Sequence, residues 1–315
     1  MECNDDGGLS RQARRFLHQA EAAVNANPEL SAEPIDLERI VQIRAETRAA
    51  YEPASQRAIS RHNLSIETET IGGIVCDRIR ANEPAVRRSD QLLFYVFGGA
   101  FIQGSPFEDL PIIGSLAEDT GLTVVAPRYR LAPEHPAPAA FSDVVAAYDG
   151  LIAQARAPVV LAGESAGGNL ALLLGQYLRD TRRPLPRALA LLSPAVDLRT
   201  DPDLFGPTID ADPTLHHQRV HDVARAYLGT RSADDAAVSP VFGELGGLPP
   251  TFISTGSRDL LMAMCLRLNR KLIRARVEVE CRVWDSMWHV FEFYDDYPEQ
   301  AESLTEMSRF INNRL

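Results

Sequence analysis

The chain has 315 residues, of which 45% are hydrophobic and 24% are charged, so it can bury a sizeable core. Its formal net charge of −11 makes nucleic acid and anionic membrane surfaces poor partners. The four cysteines are scattered and form no CxxC pair, so we expect free thiols in a reducing compartment. The first residues do not resemble a signal peptide, and no apolar run approaches about 20 residues, which predicts a soluble, cytoplasmic protein.

Two amphipathic helices are predicted near the start of the chain. Apolar or small residues recur at helical spacing over residues 9–27 and again over residues 36–51, where Asp36 is a suitable N-cap. Neither segment carries a chemical motif. We therefore expect residues 1–52 to form cap helices that lie on another part of the molecule.

The next part of the chain alternates between strands and helices. Apolar and polar residues alternate over residues 64–70 and 73–80, and the glycines between them predict a hairpin. Later apolar runs predict buried strands separated by helices, a pattern typical of a mostly parallel α/β sheet with helices on both faces. The later strands are predicted at 91–97, 122–126, 157–162, 187–192, 251–255 and 277–283, and the helices at 108–120, 137–155, 169–178, 260–275 and 298–312.

One long segment interrupts this alternation. Residues 199–239 are polar and broken by proline, with a single predicted helix at about residues 214–228. A long insertion of this kind between sheet strands usually covers an active site. We therefore divide the chain into cap helices at 1–52, an α/β core at 53–198 and 239–315, and a cap insertion at 199–238.

A Gly-x-Ser-x-Gly motif, Gly163 to Gly167, lies between the strand at 157–162 and the helix at 169–178. A sharp strand-to-helix turn exposes its central residue at the top of a sheet, and a Cβ two residues away on either side would clash. Ser165 is therefore a candidate nucleophile, with the helix N-terminus directed at developing negative charge. The alternative is an ordinary glycine-rich turn between a strand and a helix.

A nucleophilic serine needs a base and an acid that orients it. In α/β-hydrolases these residues follow the serine in the order acid, then histidine. Asp259 follows the strand at 251–255, and His289 follows the last strand and is the only histidine after the insertion. Taken singly, Asp259 could be a helix N-cap and His289 a surface-loop residue. Their order, each just after a strand, favours a catalytic triad with Ser165.

The reaction also needs N–H donors for the oxyanion of the tetrahedral intermediate. One donor is expected from Ala166, which follows the nucleophile, and the others from a glycine-rich turn after an earlier strand. The turn from Phe97 to Phe101 directly follows the strand at 91–97 and is small enough to approach a substrate oxygen. The alternative is a tight turn without a catalytic role.

Three motifs together resemble the hormone-sensitive-lipase family of carboxylesterases, in the α/β-hydrolase superfamily. They are the turn at 97–101, the stretch Tyr-Arg-Leu-Ala-Pro-Glu-His-Pro-Ala-Pro-Ala at 129–139, and Gly-Glu-Ser-Ala-Gly-Gly-Asn at 163–169. In the second motif Ala137 stands where the family has phenylalanine. The resemblance covers about residues 90–290. It implies an α/β-hydrolase fold with an eight-stranded sheet, a cap made of the N-terminal helices and the insertion, and a triad of Ser165, Asp259 and His289. It also implies that Gly99, Ala100 and Ala166 donate to the oxyanion.

The chain departs from the family motif at Phe97, where the family has histidine. Phenylalanine cannot make a side-chain hydrogen bond, although no backbone donor is lost. Phe97 follows an apolar strand and Phe101 lies four residues on. We therefore expect an aromatic or apolar contact to hold this turn.

A histidine pair on the insertion helix is the other chemical feature. His217 and His221 are four residues apart, with His216 and Asp222 nearby, as in some metal sites. No third ligand follows at suitable spacing, so we expect a solvated cap helix, with no metal and no cofactor. Cap aromatics such as Phe16, Phe205 and Tyr227 fit either an acyl pocket or the core.

These observations predict a serine carboxylic-ester hydrolase that forms an acyl-enzyme with short to medium acyl or small specialised esters. The N-terminal helices should wall its acyl pocket. One alternative is a lactonase or lyase acting on a specialised metabolite with the same fold. A second is a non-catalytic small-molecule receptor. The expected partner is a small ester and not nucleic acid or a membrane, and a homodimer is left open.

Overall fold

The computed structural model describes residues 9–26, 37–86, 88–154, 158–294 and 297–315. Within these residues the chain forms eight α-helices and eight strands. The helices are α1 (Arg11–Ala26), α2 (Leu37–Arg61), α3 (Leu110–Thr120), α4 (Ala139–Ala153), α5 (Ser165–Asp180), α6 (His217–Leu228), α7 (Met262–Arg274) and α8 (Pro298–Asn312). The strands are β1 (Leu64–Ile71), β2 (Ile74–Ala81), β3 (Arg88–Val96), β4 (Leu122–Pro127), β5 (Val160–Glu164), β6 (Ala188–Leu192), β7 (Thr251–Gly256) and β8 (Val279–Trp284).

The strands form one sheet in the order β1-β2-β4-β3-β5-β6-β7-β8. The predicted hairpin is confirmed, since β1 and β2 pair antiparallel from Leu64 opposite Ala81 to Ile71 opposite Ile74. Strand β2 also pairs antiparallel with β4, and all later pairs are parallel. The predicted α/β-hydrolase fold, with a mostly parallel eight-stranded sheet, is therefore confirmed.

Burial explains why the central strands are mainly apolar. Every residue of β4, β5, β6 and β7 is buried, because helices cover both faces of a parallel sheet. Helices α3 and α8 contact each other over the sheet, and so do α4 and α5. The carboxyl ends of β3, β5, β7 and β8 lead into the loops that carry the candidate site residues.

The second N-terminal helix is longer than predicted. The sequence pattern ended it at residue 51, but α2 continues through Pro53 to Arg61, so the proposed boundary at residue 52 falls inside a helix. The extension is held by packing, since Ser55 and Ala58 are buried and α2 contacts α3. The predicted N-cap Asp36 lies outside the described residues.

Both N-terminal helices make side-chain contacts with the core. Arg44 of α2 donates hydrogen bonds to the carbonyl oxygens of Ile102 (2.6 Å) and Ala132 (2.9 Å). Phe16 of α1 stacks on Trp288, with ring centroids 4.6 Å apart. In the part of the chain that is described, no helix has the length and apolar character needed to span a membrane.

Candidate active site

The predicted elbow lies where β5 ends and α5 begins. Ser165 is the first residue of α5, and its φ of 49° lies in the left-handed region, which costs a non-glycine residue about 1–3 kcal/mol. A Cβ on Gly163 would lie 2.7 Å from the carbonyl oxygen of Gly167. A Cβ on Gly167 would lie 2.0 Å from the carbonyl oxygen of Val96. Both approaches are too close for a side chain, so the turn requires glycine at both positions.

The structure brings Ser165, His289 and Asp259 together in a hydrogen-bonded row. His289 Nε2 lies 2.9 Å from Ser165 Oγ, and His289 Nδ1 lies 3.0 Å from Asp259 Oδ1. Asp259 is completely buried, and it also accepts hydrogen bonds from Thr255 Oγ1 and from the Leu261 N–H, each at 2.8 Å. With Nδ1–H donating to Asp259, Nε2 is free to accept the serine proton.

Burial and charge act in opposite directions on the two titratable groups of this row. Burial alone would lower the pKa of His289, but the Asp259 carboxylate offsets this through charge and hydrogen bonding, and the pKa is raised above 6.5. Burial alone would raise the pKa of Asp259. The charge of His289 and the hydrogen bonds that the carboxyl accepts hold that pKa below its ordinary value. The pair therefore favours a charged imidazole beside a charged carboxylate.

The turn after β3 carries two of the three predicted oxyanion donors, Gly99 and Ala100. Gly99, Ala100 and Phe101 all have positive φ values, of 87°, 55° and 64°. Among the described residues, no acceptor takes a hydrogen bond from the backbone N–H groups of Gly99 or Ala100. The N–H of Ala166 is in the first turn of α5, where helical amides lack an internal partner. All three predicted donors therefore border the space beside Ser165.

An aromatic contact holds this turn, although its partner is not the one expected. The ring of Phe97 stacks on Tyr129, with centroids 4.1 Å apart and planes at 11°. Tyr129 Oη also donates to the carbonyl oxygens of Phe97 (2.9 Å) and Gly98 (3.1 Å). Phe101 instead stacks on Tyr227 of α6, at 3.7 Å and 8°. The turn is thus held from the core by one aromatic pair and from the insertion by another.

Two cavities of different character meet at Ser165. A cavity of about 170 Å³ extends past His289 and is lined by polar and aromatic side chains, including those of Tyr51 and Glu164. A smaller cavity of about 50 Å³ extends past Ala166 and is lined mainly by aliphatic side chains. The larger apolar side chains that line the smaller cavity include those of Leu198, Leu215, Val220, Val223, Leu261 and Met264.

Asp212 of the insertion is a site residue that the sequence analysis missed. Its Oδ2 accepts hydrogen bonds from the N–H groups of His289 and Leu260, each at 3.0 Å. Its Oδ1 accepts from the N–H groups of Thr214 (2.8 Å) and Leu215 (3.0 Å). The Asp-Pro-Thr sequence indicates the local turn, but the bonds to residues 48 and 77 positions away have no local signal.

The histidine pair of the insertion contacts protein groups. His217 Nε2 lies 3.2 Å from the carbonyl oxygen of Thr200, and its ring meets the ring of Phe205 at 70°. His221 Nδ1 lies 3.4 Å from Asp222 Oδ1. No group of three or more metal-ligating side chains occurs among the residues with described positions. These contacts agree with a structural role for both histidines.

Comparison with known proteins agrees with this geometry. The model of an alpha/beta hydrolase fold family matches residues 93–293. An acetyl-hydrolase of Streptomyces hygroscopicus is 34% identical, over 84% of this chain and 88% of its own length. An esterase of Acinetobacter venetianus is 31% identical, over 79% of this chain and 82% of its own. The crystal structure of an esterase from the bacterial hormone-sensitive lipase family superposes with a TM-score of 0.83 at 28% identity, over 98% of this chain and 99% of its own.

The fold, the row of three side chains and these similarities define a serine hydrolase. The chain belongs to the α/β-hydrolase family and, within it, to the hormone-sensitive-lipase-like esterases. Hydrolysis of carboxylic esters, with a small ester as substrate, is the activity that this membership supports. The relatives do not favour the lactonase, lyase or receptor alternatives.

The role of Phe97 can be tested by two substitutions. We expect Phe97→His to change ester turnover by less than about 10²-fold, because loss of a true oxyanion donor costs about 10²–10³-fold and the backbone donors remain. Phe97→Ala removes a buried ring and should destabilise the protein by roughly 3–5 kcal/mol. Single-turnover acylation and denaturant midpoints measure both effects.

Tyr129→Phe is the matched variant, because it keeps the stacked rings and removes only the hydroxyl that bonds two carbonyl oxygens. It should slow acylation with a smaller loss of stability than Phe97→Ala. A gain of about 10³-fold in Phe97→His would contradict the view that packing replaces the family histidine here.

Substitution of Asp212 should change the pH dependence of the reaction. The Asp212 charge is one of the factors that raise the pKa of His289, so Asp212→Asn should move the acidic limb of kcat/KM to lower pH. In the wild type that limb should lie above pH 6.5, since activity requires neutral His289. Asp210→Asn, at an exposed position two residues away, is the control. A limb that stays in place in Asp212→Asn would show that Asp212 does not act on His289.

Proposed function

We propose that this protein hydrolyses short-chain carboxylic esters with Ser165 as nucleophile, His289 as base and Asp259 as the acid that orients the base. The observation that carries the proposal is the continuous row of hydrogen bonds, 2.9 Å from Ser165 to His289 and 3.0 Å from His289 to Asp259. Each of the three side chains lies within five residues of the carboxyl end of a strand of the sheet. A rigid sheet therefore sets their separations.

The reaction follows from the geometry. Ser165 Oγ bonds to the ester carbonyl carbon while its proton passes to His289 Nε2, and Asp259 stabilises the imidazolium. The carbonyl oxygen becomes an oxyanion, which accepts hydrogen bonds from the N–H groups of Gly99, Ala100 and Ala166. The intermediate collapses, the bond to the alcohol oxygen breaks, and His289 returns the proton to that oxygen. Water then attacks the acyl-enzyme by the same route and releases the acid.

The two cavities suggest where the two parts of the ester bind. His289 lines only the larger, polar cavity, and the leaving oxygen must receive its proton from His289, so the alcohol extends there. The acyl chain then enters the small aliphatic cavity. A volume of about 50 Å³ favours acetyl to butyryl groups over long chains.

The cap that we propose has different contacts from those expected. Helix α2 contributes Thr47 and Tyr51 to the polar cavity, whereas the aliphatic cavity is lined by Val220, Val223 and Ala224 of α6. We therefore assign the acyl wall to the insertion at 199–238. Of the N-terminal cap segment predicted at 1–52, helix α2 contributes to the alcohol side.

The cytoplasmic location expected from the sequence and the homodimer that the sequence leaves open are both untested predictions. Light scattering after size-exclusion chromatography tests the dimer, and fractionation of the source cells tests the location.

The nucleophile is tested by Ser165→Ala. Removal of a triad serine costs about 10⁶-fold in turnover, while the fold should be kept because alanine fits the same turn. Hydrolysis of p-nitrophenyl butyrate and the melting temperature are measured beside Ser142→Ala, at an exposed position of α4, which should behave as wild type. An alanine variant that kept more than about one per cent of the wild-type rate would exclude Ser165 as nucleophile.

The acyl cavity is tested with a chain-length series from acetate to decanoate. The wild type should prefer acetyl to butyryl esters, and Met264→Ala should move the optimum to longer chains by enlarging the aliphatic cavity. Leu266→Ala is the matched control, because Leu266 lies on the same helix but is 39% exposed. If Met264→Ala lowered the rate for all chain lengths equally, Met264 would not bound the acyl chain.

A further inference from the structure

The polar cavity contains more acid than the triad chemistry requires. Three carboxyl side chains line it, those of Glu108, Asp109 and Glu164, and none of its described lining residues is lysine or arginine. Glu108 has a cationic partner, since its Oε1 lies 3.3 Å from Arg48 Nη1. The other two carboxyls therefore set the character of the inner part of this cavity.

Asp109 and Glu164 are buried without a cation. Their relative exposures are 2% and 1%, and neither forms an ion pair with a described residue. By distance and angle, Asp109 Oδ2 and Glu164 Oε1 accept no hydrogen bond from the part of the protein that is described, although the Tyr95 hydroxyl neighbours Asp109 and the Gly98 N–H neighbours Glu164 and both lower the pKa of the carboxyl beside them. A buried acceptor without a donor costs about 1–3 kcal/mol, so such groups are rare unless another molecule satisfies them.

Burial also controls the charge of this pair. It raises the pKa of both carboxyls, and the nearby charge of Asp109 raises that of Glu164 further. A donor from a bound molecule, and above all a cation, would stabilise the charged form.

The position of Glu164 links the pair to the reaction. It directly precedes Ser165, and its carboxyl lies against the turn at Gly98, where an added Cβ would be 1.9 Å from Glu164 Oε1. Glu164 lines the polar cavity, and an apolar side chain at this position would avoid the unsatisfied oxygen. A carboxyl here is therefore suited to bind something that enters from the cavity.

We propose that Asp109 and Glu164 form a leaving-group subsite that selects esters of alcohols carrying a hydrogen-bond donor, either a hydroxyl or a protonated amine. The inference rests on the proposed function, because the alcohol lies in the polar cavity only if His289 protonates the leaving oxygen. The donor meets Asp109 Oδ2 or Glu164 Oε1 while the ester carbonyl lies at Ser165. An alcohol of the same shape without a donor leaves both oxygens unsatisfied.

Two isosteric pairs of butyrate esters test the subsite. The first compares 2-hydroxyethyl butyrate with propyl butyrate, and the second compares 2-(dimethylamino)ethyl butyrate, protonated at pH 7, with 3-methylbutyl butyrate. A site built to bind a donor rejects an analogue that lacks it. We expect kcat/KM in the wild type to favour the donor ester by about 10-fold or more in at least one pair, and the pair that responds identifies the donor.

The variants Asp109→Asn and Glu164→Gln should bring that ratio towards one, whereas Asp180→Asn, at a surface position, should leave it as in the wild type. An unchanged ratio in both variants, with both esters slowed equally, would mean that the carboxyls only support the turn at Gly98 and would overturn the inference. A ratio near one in both pairs for the wild type would also overturn it, while the esterase activity itself would stand. Failure of the wild type to hydrolyse any butyrate would instead refute the proposed function.

Product inhibition gives a test that needs no variant. In the hydrolysis of p-nitrophenyl butyrate by the wild type, 2-(dimethylamino)ethanol or ethylene glycol should inhibit at concentrations about 10-fold lower than 3-methylbutanol or propanol. Equal inhibition within both pairs of alcohols would contradict the subsite even if the two variants failed to fold.

Discussion

The close approach of the start of α5 to the end of β3 is the constraint on which the site depends. Gly167 brings the first turn of α5 so near Val96 and Phe97 that an added Cβ would lie 2.0 and 2.3 Å from their carbonyl oxygens. Strand β3 runs directly into the turn that carries Gly99 and Ala100. The proposed nucleophile, Ser165, and its proposed oxyanion donors therefore lie side by side, because the two backbones are in contact. The strain at Ser165 and in the turn after β3 is sustained by the surrounding sheet, whose central strands are fully buried.

The sequence predicted the sheet, the elbow and the order of Ser165, Asp259 and His289, because these depend on local patterns and on chain order. Tertiary contacts were harder to foresee. The continuation of α2 past Pro53 depends on packing against α3, and the partner of Phe97 is a residue 32 positions away whose hydroxyl reaches two carbonyl oxygens. Asp212 was missed for the same reason, since its Oδ2 binds residues from two other loops.

Asp212 also changes the role that the insertion can have. One carboxylate accepts N–H groups from the loop of Asp259, from the loop of His289 and from its own segment. The segment that lines the small aliphatic cavity is thereby joined to the loops of Asp259 and His289, two residues of the proposed triad. Tyr227 of α6, stacked on Phe101, joins the same insertion to the oxyanion turn. In the proposed mechanism the insertion would therefore help to orient the catalytic groups as well as cover them.

The acidic pair of Asp109 and Glu164 lies close to the place where the proposed reaction develops negative charge. A charged carboxylate near the turn at Gly98 would oppose the negative oxyanion that forms there, and the low-dielectric surroundings would strengthen the repulsion. Burial reduces this conflict, because the raised pKa values of Asp109 and Glu164 favour the neutral acids when the cavity holds no cation. A bound ammonium group would allow ionisation while cancelling the charge near the oxyanion. The same two side chains can thus face the alcohol of a substrate without suppressing attack by Ser165.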